Sequence, residues 1–160
     1  MAKFATDIAA FAKKTNQTID ASVREVVMEL VAEVNMRSPV GDRERWAVNV
    51  ARASKGLSPL PKGYVGGHFR ANNQYRFGAL PAGVVEGTDP SGSAAMASVR
   101  SGVASSEAAG VHYIANNVPY AMALENGHSS QAPRAPVAIY GLAMMSVVGK
   151  LKAIVGRVVK

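Results

Sequence analysis

The chain has 160 residues, 48% of them hydrophobic and 18% charged, which is enough for one domain's core and too apolar for a disordered chain. It has no cysteine, so disulfides, thiol nucleophiles and thiolate metal sites are excluded together. Eighteen basic against eleven acidic residues leave a formal charge of +7, and no run of about 20 apolar residues marks a membrane span.

Residues 1–36 carry a regular pattern. Phe4, Ile8, Phe11, Ile19, Val23, Val26, Val27, Leu30, Val31 and Val34 fall mostly three or four apart, with Lys13, Lys14, Asp20, Arg24, Glu25, Glu29 and Glu33 between them. That spacing predicts a long amphipathic helix ending at Ser38-Pro39, because the residue before proline is driven out of the helical region. The polar run Thr15 to Thr18 marks a candidate break. The stripe spans about five heptads, more than one small core covers, so part of it is expected against a neighbouring subunit.

Residues 39–83 are rich in proline and glycine. Arg45 to Ala53, around the single tryptophan Trp46, reads as a short helix or strand. Leu57 to Pro61 reads as extended, and His68 to Arg70 and Gln74 to Phe77 as short strands. The stretch 56–83 is expected to be an extended arm or loop that orders against a partner. Val84 to Glu86, Ala95 to Val99 and His112 to Asn117 are further strand candidates. Tyr120 to Glu125 reads as one or two helical turns stopped by Asn126-Gly127. Beyond Pro133 and Pro136 a last helix is expected, with Ile139, Leu142, Met145, Val148, Leu151, Ile154 and Val158 as its stripe. The fold class these elements predict is α+β, a single domain over 1–160. Its long N-terminal helix and C-terminal helix pack on a small, mainly antiparallel sheet, and the Pro/Gly-rich arm extends from it.

Motifs of catalysis are incomplete. Gly127-His128-Ser129-Ser130-Gln131 lacks the closing small residue of a nucleophile elbow. Gly63 to Gly67 has neither dinucleotide-loop spacing nor a phosphate-loop lysine. Glu125-x-x-His128 has di-iron spacing but no second pair, and His68, His112 and His128 stand apart from one another. No catalytic residue, cofactor or metal is therefore expected. The first seven residues hold one lysine, one acid and no apolar block, so no secretion signal is expected.

Charge is unevenly placed. Residues 38–78 carry seven basic and two acidic groups, 79–130 one and four, and 131–160 five and none. Such blocks can pair between copies or face a polyanion. Arg43, Arg45, Arg52, Lys55, Lys62, Arg70 and Arg76 alternate with Trp46, Tyr64, Phe69, Tyr75 and Phe77, a mixture that can hold single strands by phosphate contact and stacking. The competing reading makes those rings core and those arginines partners of acidic groups.

Residues 114–133 carry a resemblance. Ile114 to Asn117, then Val118-Pro119-Tyr120-Ala121, a short segment ending in Glu125-Asn126-Gly127, a polar loop and Ala132-Pro133 together resemble a hallmark of small phage morphogenesis proteins. These are the head–tail joining or tail-completion proteins in the neck of long-tailed bacteriophages. The long helix ending in Arg37-Ser38-Pro39-Val40-Gly41-Asp42 resembles, more loosely, that family's helix followed by "S/T-P-V-D-T-G-x-L-R", a form from which Gly41-Asp42-Arg43-Glu44-Arg45-Trp46 departs. The resemblance implies a structural virion protein of the phage neck or tail top, assembled in the host cytoplasm. It would form a homo-oligomeric, six-fold ring that attaches the finished tail to the head. Its partners would be itself and neighbouring neck and tail proteins, with weak contact to genomic DNA and none to membrane. A tail terminator or head-closure ring is a sibling role, and a basic nucleic-acid-binding module is the alternative of another class. The expected interaction residues are Pro119, Tyr120, Glu125, Gly127, His128, Ser129, Gln131 and Pro133. Arg70, Arg76, Lys150 and Lys152 are the expected contacts to DNA or an acidic partner.

Overall fold

A computed structural model describes residues 2–128 and 138–159. Helix α1 spans Ala2–Arg37 without a break. The hydroxyls of Thr15, Thr18 and Ser22 donate to the carbonyls of Phe11, Lys14 and Thr18, one turn back. Those bonds keep the polar run helical where a break was expected. The helix stops at Ser38, whose N–H and hydroxyl both donate to the Val34 carbonyl. A 3₁₀ turn, Arg43–Arg45, leads into α2, Ala47–Ala53. Helix α3 (His68–Ala71), strand β1 (Gln74–Phe77), helix α4 (Ser93–Ala104) and strand β2 (His112–Ala115) follow. The chain closes with α5 (Ala121–Glu125) and α6 (Ile139–Val158).

The architecture is α+β. β1 and β2 pair antiparallel, with Gln74 opposite Ala115 and Phe77 opposite His112. The helix lying on β1 is α4, which also packs against α1, while α6 runs along α1 and touches α5. Two buried clusters share the second half of α1. Val27 and Val31 meet Val99 and Val103 of α4, closed by Tyr75 and Ile114 from the sheet. Val34 meets Phe69, Val118, Ile139 and Ala143, closed by Leu30, Leu124 and Tyr140.

Three expected strands are not strands. Ala95 to Val99 is helical, because Ala95, Val99 and Val103 are spaced four apart on a buried face. The carboxylate of Asp89 also accepts the Gly92 and Ala95 N–H groups and the Ser91 hydroxyl at the head of that helix. Burial alone would raise the Asp89 pKa, and these donors outweigh it and hold the carboxyl below its ordinary value. His68 to Arg70 is a single helical turn behind Gly67, whose φ of 99° a side chain would strain. A Cβ at Gly67 would also strike the backbone of Asp89 and Pro90. Val84 to Glu86 forms no regular element.

The stretch 56–83, expected as an arm, divides in two. Its first part folds back on α2. Asn49, buried, donates to the carbonyls of Arg43 and Leu60 and accepts the Leu60 N–H, while Arg43 and Arg52 donate to the carbonyls of Pro61 and Ser58. Trp46 meets Tyr64 edge-on at 4.9 Å. Its second part is central to the domain: Phe69, Asn72 and Asn73 are buried. Asn72 clamps the following loop by exchanging two hydrogen bonds with the backbone of Val85. Side-chain amides satisfy the loop's backbone groups, so the proline-rich chain closes on itself.

Candidate assembly surface

Among the described residues nothing covers the first half of α1. Phe4 is 73% exposed and Phe11 69%, and Ile8 and Ile19 are exposed on the same stripe. The valines that continue this stripe beyond Ile19 go inside. A helix presenting two phenylalanines to water about two turns apart exposes an apolar face larger than a surface helix ordinarily leaves in solvent. The chain's accessible area, 10217 Å², agrees with that. A folded monomer of 16.7 kDa exposes roughly 7,600 Å² by the usual size scaling.

Helix α6 has two faces. Ile139, Ala143, Val147 and Ile154 are buried. Leu142, Met145, Val148 and Leu151, expected on one apolar stripe with Ile139 and Ile154, are exposed. That expectation followed large residues at a stride of three, and that stride drifts around an α-helix. The observed inward face steps by four and includes Ala143, small enough to draw α6 against Val34. By length and composition α6 is apolar enough to cross a membrane, and 22% of that stretch is buried in the fold.

What fastens α6 to α1 is a charge ladder. Glu33 is buried, and its carboxylate accepts from Lys150 at 2.6 Å, Ser146 at 2.8 Å and Arg37 at 3.2 Å. Arg157 lies 2.9 Å from Glu25 and 3.5 Å from Glu29. The hydrogen bonds from Lys150 and Ser146, aided by Arg37, outweigh burial and hold the Glu33 carboxyl down at about 2. The i,i+4 repulsion along Glu25, Glu29 and Glu33 is thereby answered from a second helix.

The motif segment folds as strand, turn and short helix. Gly127, at φ 74°, ends α5, and the His128 N–H donates to the Ala123 carbonyl. Pro119, Tyr120 and His128 are exposed, and the Tyr120 hydroxyl lies 2.9 Å from His68 Nδ1. Burial, with the nearby Tyr64 phenol, pushes the Tyr120 phenol up. Glu125 faces inward: its two carboxylate oxygens accept the Tyr140 and Gly141 N–H groups at 3.0 Å each and cap α6. Tyr140 in turn donates to Asn73, and burial pushes its phenol up. Ser129, Gln131 and Pro133 lie outside the described residues.

The four expected cationic contacts separate. Arg70 donates to the carbonyls of Pro90 and Ser38, and Lys150 to Glu33, so both are engaged within the chain. Arg76 and Lys152 are exposed and unpaired among the described residues. The basic and aromatic mixture separates likewise. Phe69 is buried, Tyr75 closes a core cluster and bonds His112, and Phe77 packs edge-on against His112 at 5.2 Å. Among the described residues no three His, Asp or Glu side chains gather into a metal site. An open groove of about 510 Å³ runs beside Ile19, Asp20 and Arg24 of α1 and Ser106 and Glu107 beyond α4. Arg24 spans it with a hydrogen bond to the Ser106 carbonyl.

No family model matches the chain, and neither a curated protein nor a solved structure matches it.

Proposed function

We propose that this chain is a structural protein of a long-tailed phage virion, a ring-forming tail-completion or head–tail joining protein of the neck or tail top. The observation that carries the reading is the bare half of α1, whose aromatic stripe has no use in a single copy. The order of elements supports it too: a long first helix, a strand, the Val118-Pro119-Tyr120-Ala121 turn, a short helix closed by Gly127, and a last helix. The nucleic-acid alternative loses ground, since Arg43, Arg52 and Arg70 are engaged with backbone carbonyls and most of the aromatics pack inside the chain. Phage lacking this protein should accumulate filled heads and finished tails that do not join. Tails of uncontrolled length would assign it to tail termination instead, and heads that lose their DNA would assign it to head closure. Normal particles would remove the reading altogether.

A further inference from the structure

The two uncovered faces are halves of one contact. We propose that the first half of α1 of one copy lies along the outward face of α6 of the next copy, joining subunits head to tail. This rests on the assembly reading above and names the surfaces it would use.

The faces match in length and relief. Phe4 to Ile19 covers about 22 Å of helix, and Leu142 to Val159 about 25 Å, at 1.5 Å per residue. The α1 face carries bulky knobs at Phe4 and Phe11. The α6 face carries Met145, 71% exposed, and Val148, 62% exposed, beside two glycines. Gly149 and Gly156 sit seven residues apart on the side away from α1, and a Cβ built on either meets nothing within 4 Å. Glycine inside a helix is less favourable than alanine, and the chain's own packing does not require it at either place. Such notches suit the close approach of another helix's large side chains. Methionine adds an adaptable floor.

Charge agrees. Asp7 is the single acid among residues 1–19 and flanks the Phe4–Phe11 stripe. Lys152 lies one turn beyond Val148 and is unpaired among the described residues. Other pairings leave something bare. Two α1 halves packed together in parallel would bring Lys13 and Lys14 of both copies into one layer and leave α6 uncovered. Two α6 helices packed together would leave Phe4 and Phe11 in water. The mixed contact covers both faces with one kind of interface, and because it is heterologous it repeats from copy to copy, giving a ring where its rotation closes. Its area is adequate: the chain's 10217 Å² is about 2,600 Å² more than a monomer of its mass exposes, within the range of permanent interfaces.

The test uses full-length protein and two variants at exposed positions, Phe11→Asp, which spoils the donor helix, and Val148→Asp, which spoils the acceptor. Both should keep the wild-type circular dichroism spectrum and run as single copies in light scattering. Mixed in equal amounts, they should form two-copy species and nothing larger, since one intact donor meets one intact acceptor and the other two surfaces are blocked. A cysteine pair in this cysteine-free chain gives a second readout. Phe11→Cys and Val148→Cys on separate copies should crosslink to each other on oxidation, and neither should crosslink to itself.

Other outcomes overturn the proposal in distinguishable ways. If Val148→Asp alone still assembles, the α1 halves pair with each other; if Phe11→Asp alone does, the α6 faces pair. If both keep the wild-type mass, the ring uses another surface, and the contact fails while the assembly reading stands. Wild type that stays a single copy at every concentration sinks both. Binding of the wild type to phosphatidylcholine vesicles, lost in Val148→Asp, would give the α6 face to a lipid surface.

Discussion

The two halves of α1 share one helical period and meet opposite fates. From Val23 to Val34 the stripe is covered by α4, the sheet and α6; from Phe4 to Ile19 it is bare. The apolar residues are no weaker in the first half, which holds both of the helix's phenylalanines. Periodicity therefore states which residues share a face and says nothing of what covers it. The cover for Val31 and Val34 comes from residues more than thirty positions away in the chain, and among the described residues nothing covers Phe11.

The sharpest way to break that contrast is to place the same charge in each half. Val31→Asp buries an unpaired carboxylate and should cost more than about 4 kcal/mol, removing the cooperative urea transition. Ile8→Asp should change stability by no more than about 0.5 kcal/mol in the same titration. Equal losses would show that the first half is buried in the isolated chain. On the polar side of the buried half, Glu33→Gln should cost about 2 kcal/mol by weakening the bonds from Lys150, Ser146 and Arg37. That effect depends on pH. The folded-state value of Glu33, about 2, lies below its ordinary 4.5, so its contribution is present above pH 4.5 and disappears as pH falls towards 2. Denaturation curves of wild type and Glu33→Gln should accordingly converge in acid; a constant gap would mean that the carboxylate's charge is not what holds α6.

Smaller effects test the cover and the joint. Asp89→Ala removes the cap of α4, the helix that shields Val27 and Val31, and should cost about 1 kcal/mol in thermal unfolding. Thr18→Ala, at the junction of the halves, should stabilise α1 by a few tenths of a kcal/mol. Alanine is the better helix former, and the lost hydroxyl bond only repeats what the Lys14 carbonyl already does in the helix ladder. A loss of helical signal in that variant would show that the threonine bonds hold the two halves in line.

Much was legible from residue order alone. The long first helix, its stop at Ser38-Pro39, the strands Gln74 to Phe77 and His112 to Ala115, the short helix before Gly127 and the final helix all follow from local rules: spacing over a turn or two, proline's fixed φ, glycine's freedom at positive φ. Those forces act between neighbours, so a sequence displays them. Ala95 to Val99 went the other way because a carboxylate six residues upstream caps a helix there, and alanine and valine at a spacing of four bury one face. Arg70 and Lys150 looked like cations awaiting a partner, yet Ser38 and Glu33 receive them from across 32 and 117 residues. The same limit hid the outward face of α6: a large residue reads as core in sequence, and only packing shows that Ala143 takes the inward position while Met145 and Val148 remain outside. Composition and local chemistry set which segments become helix or strand. Which face of each is spent inside the chain, and which is left for another, depends on contacts between residues far apart in sequence, and those exist only once the chain has folded.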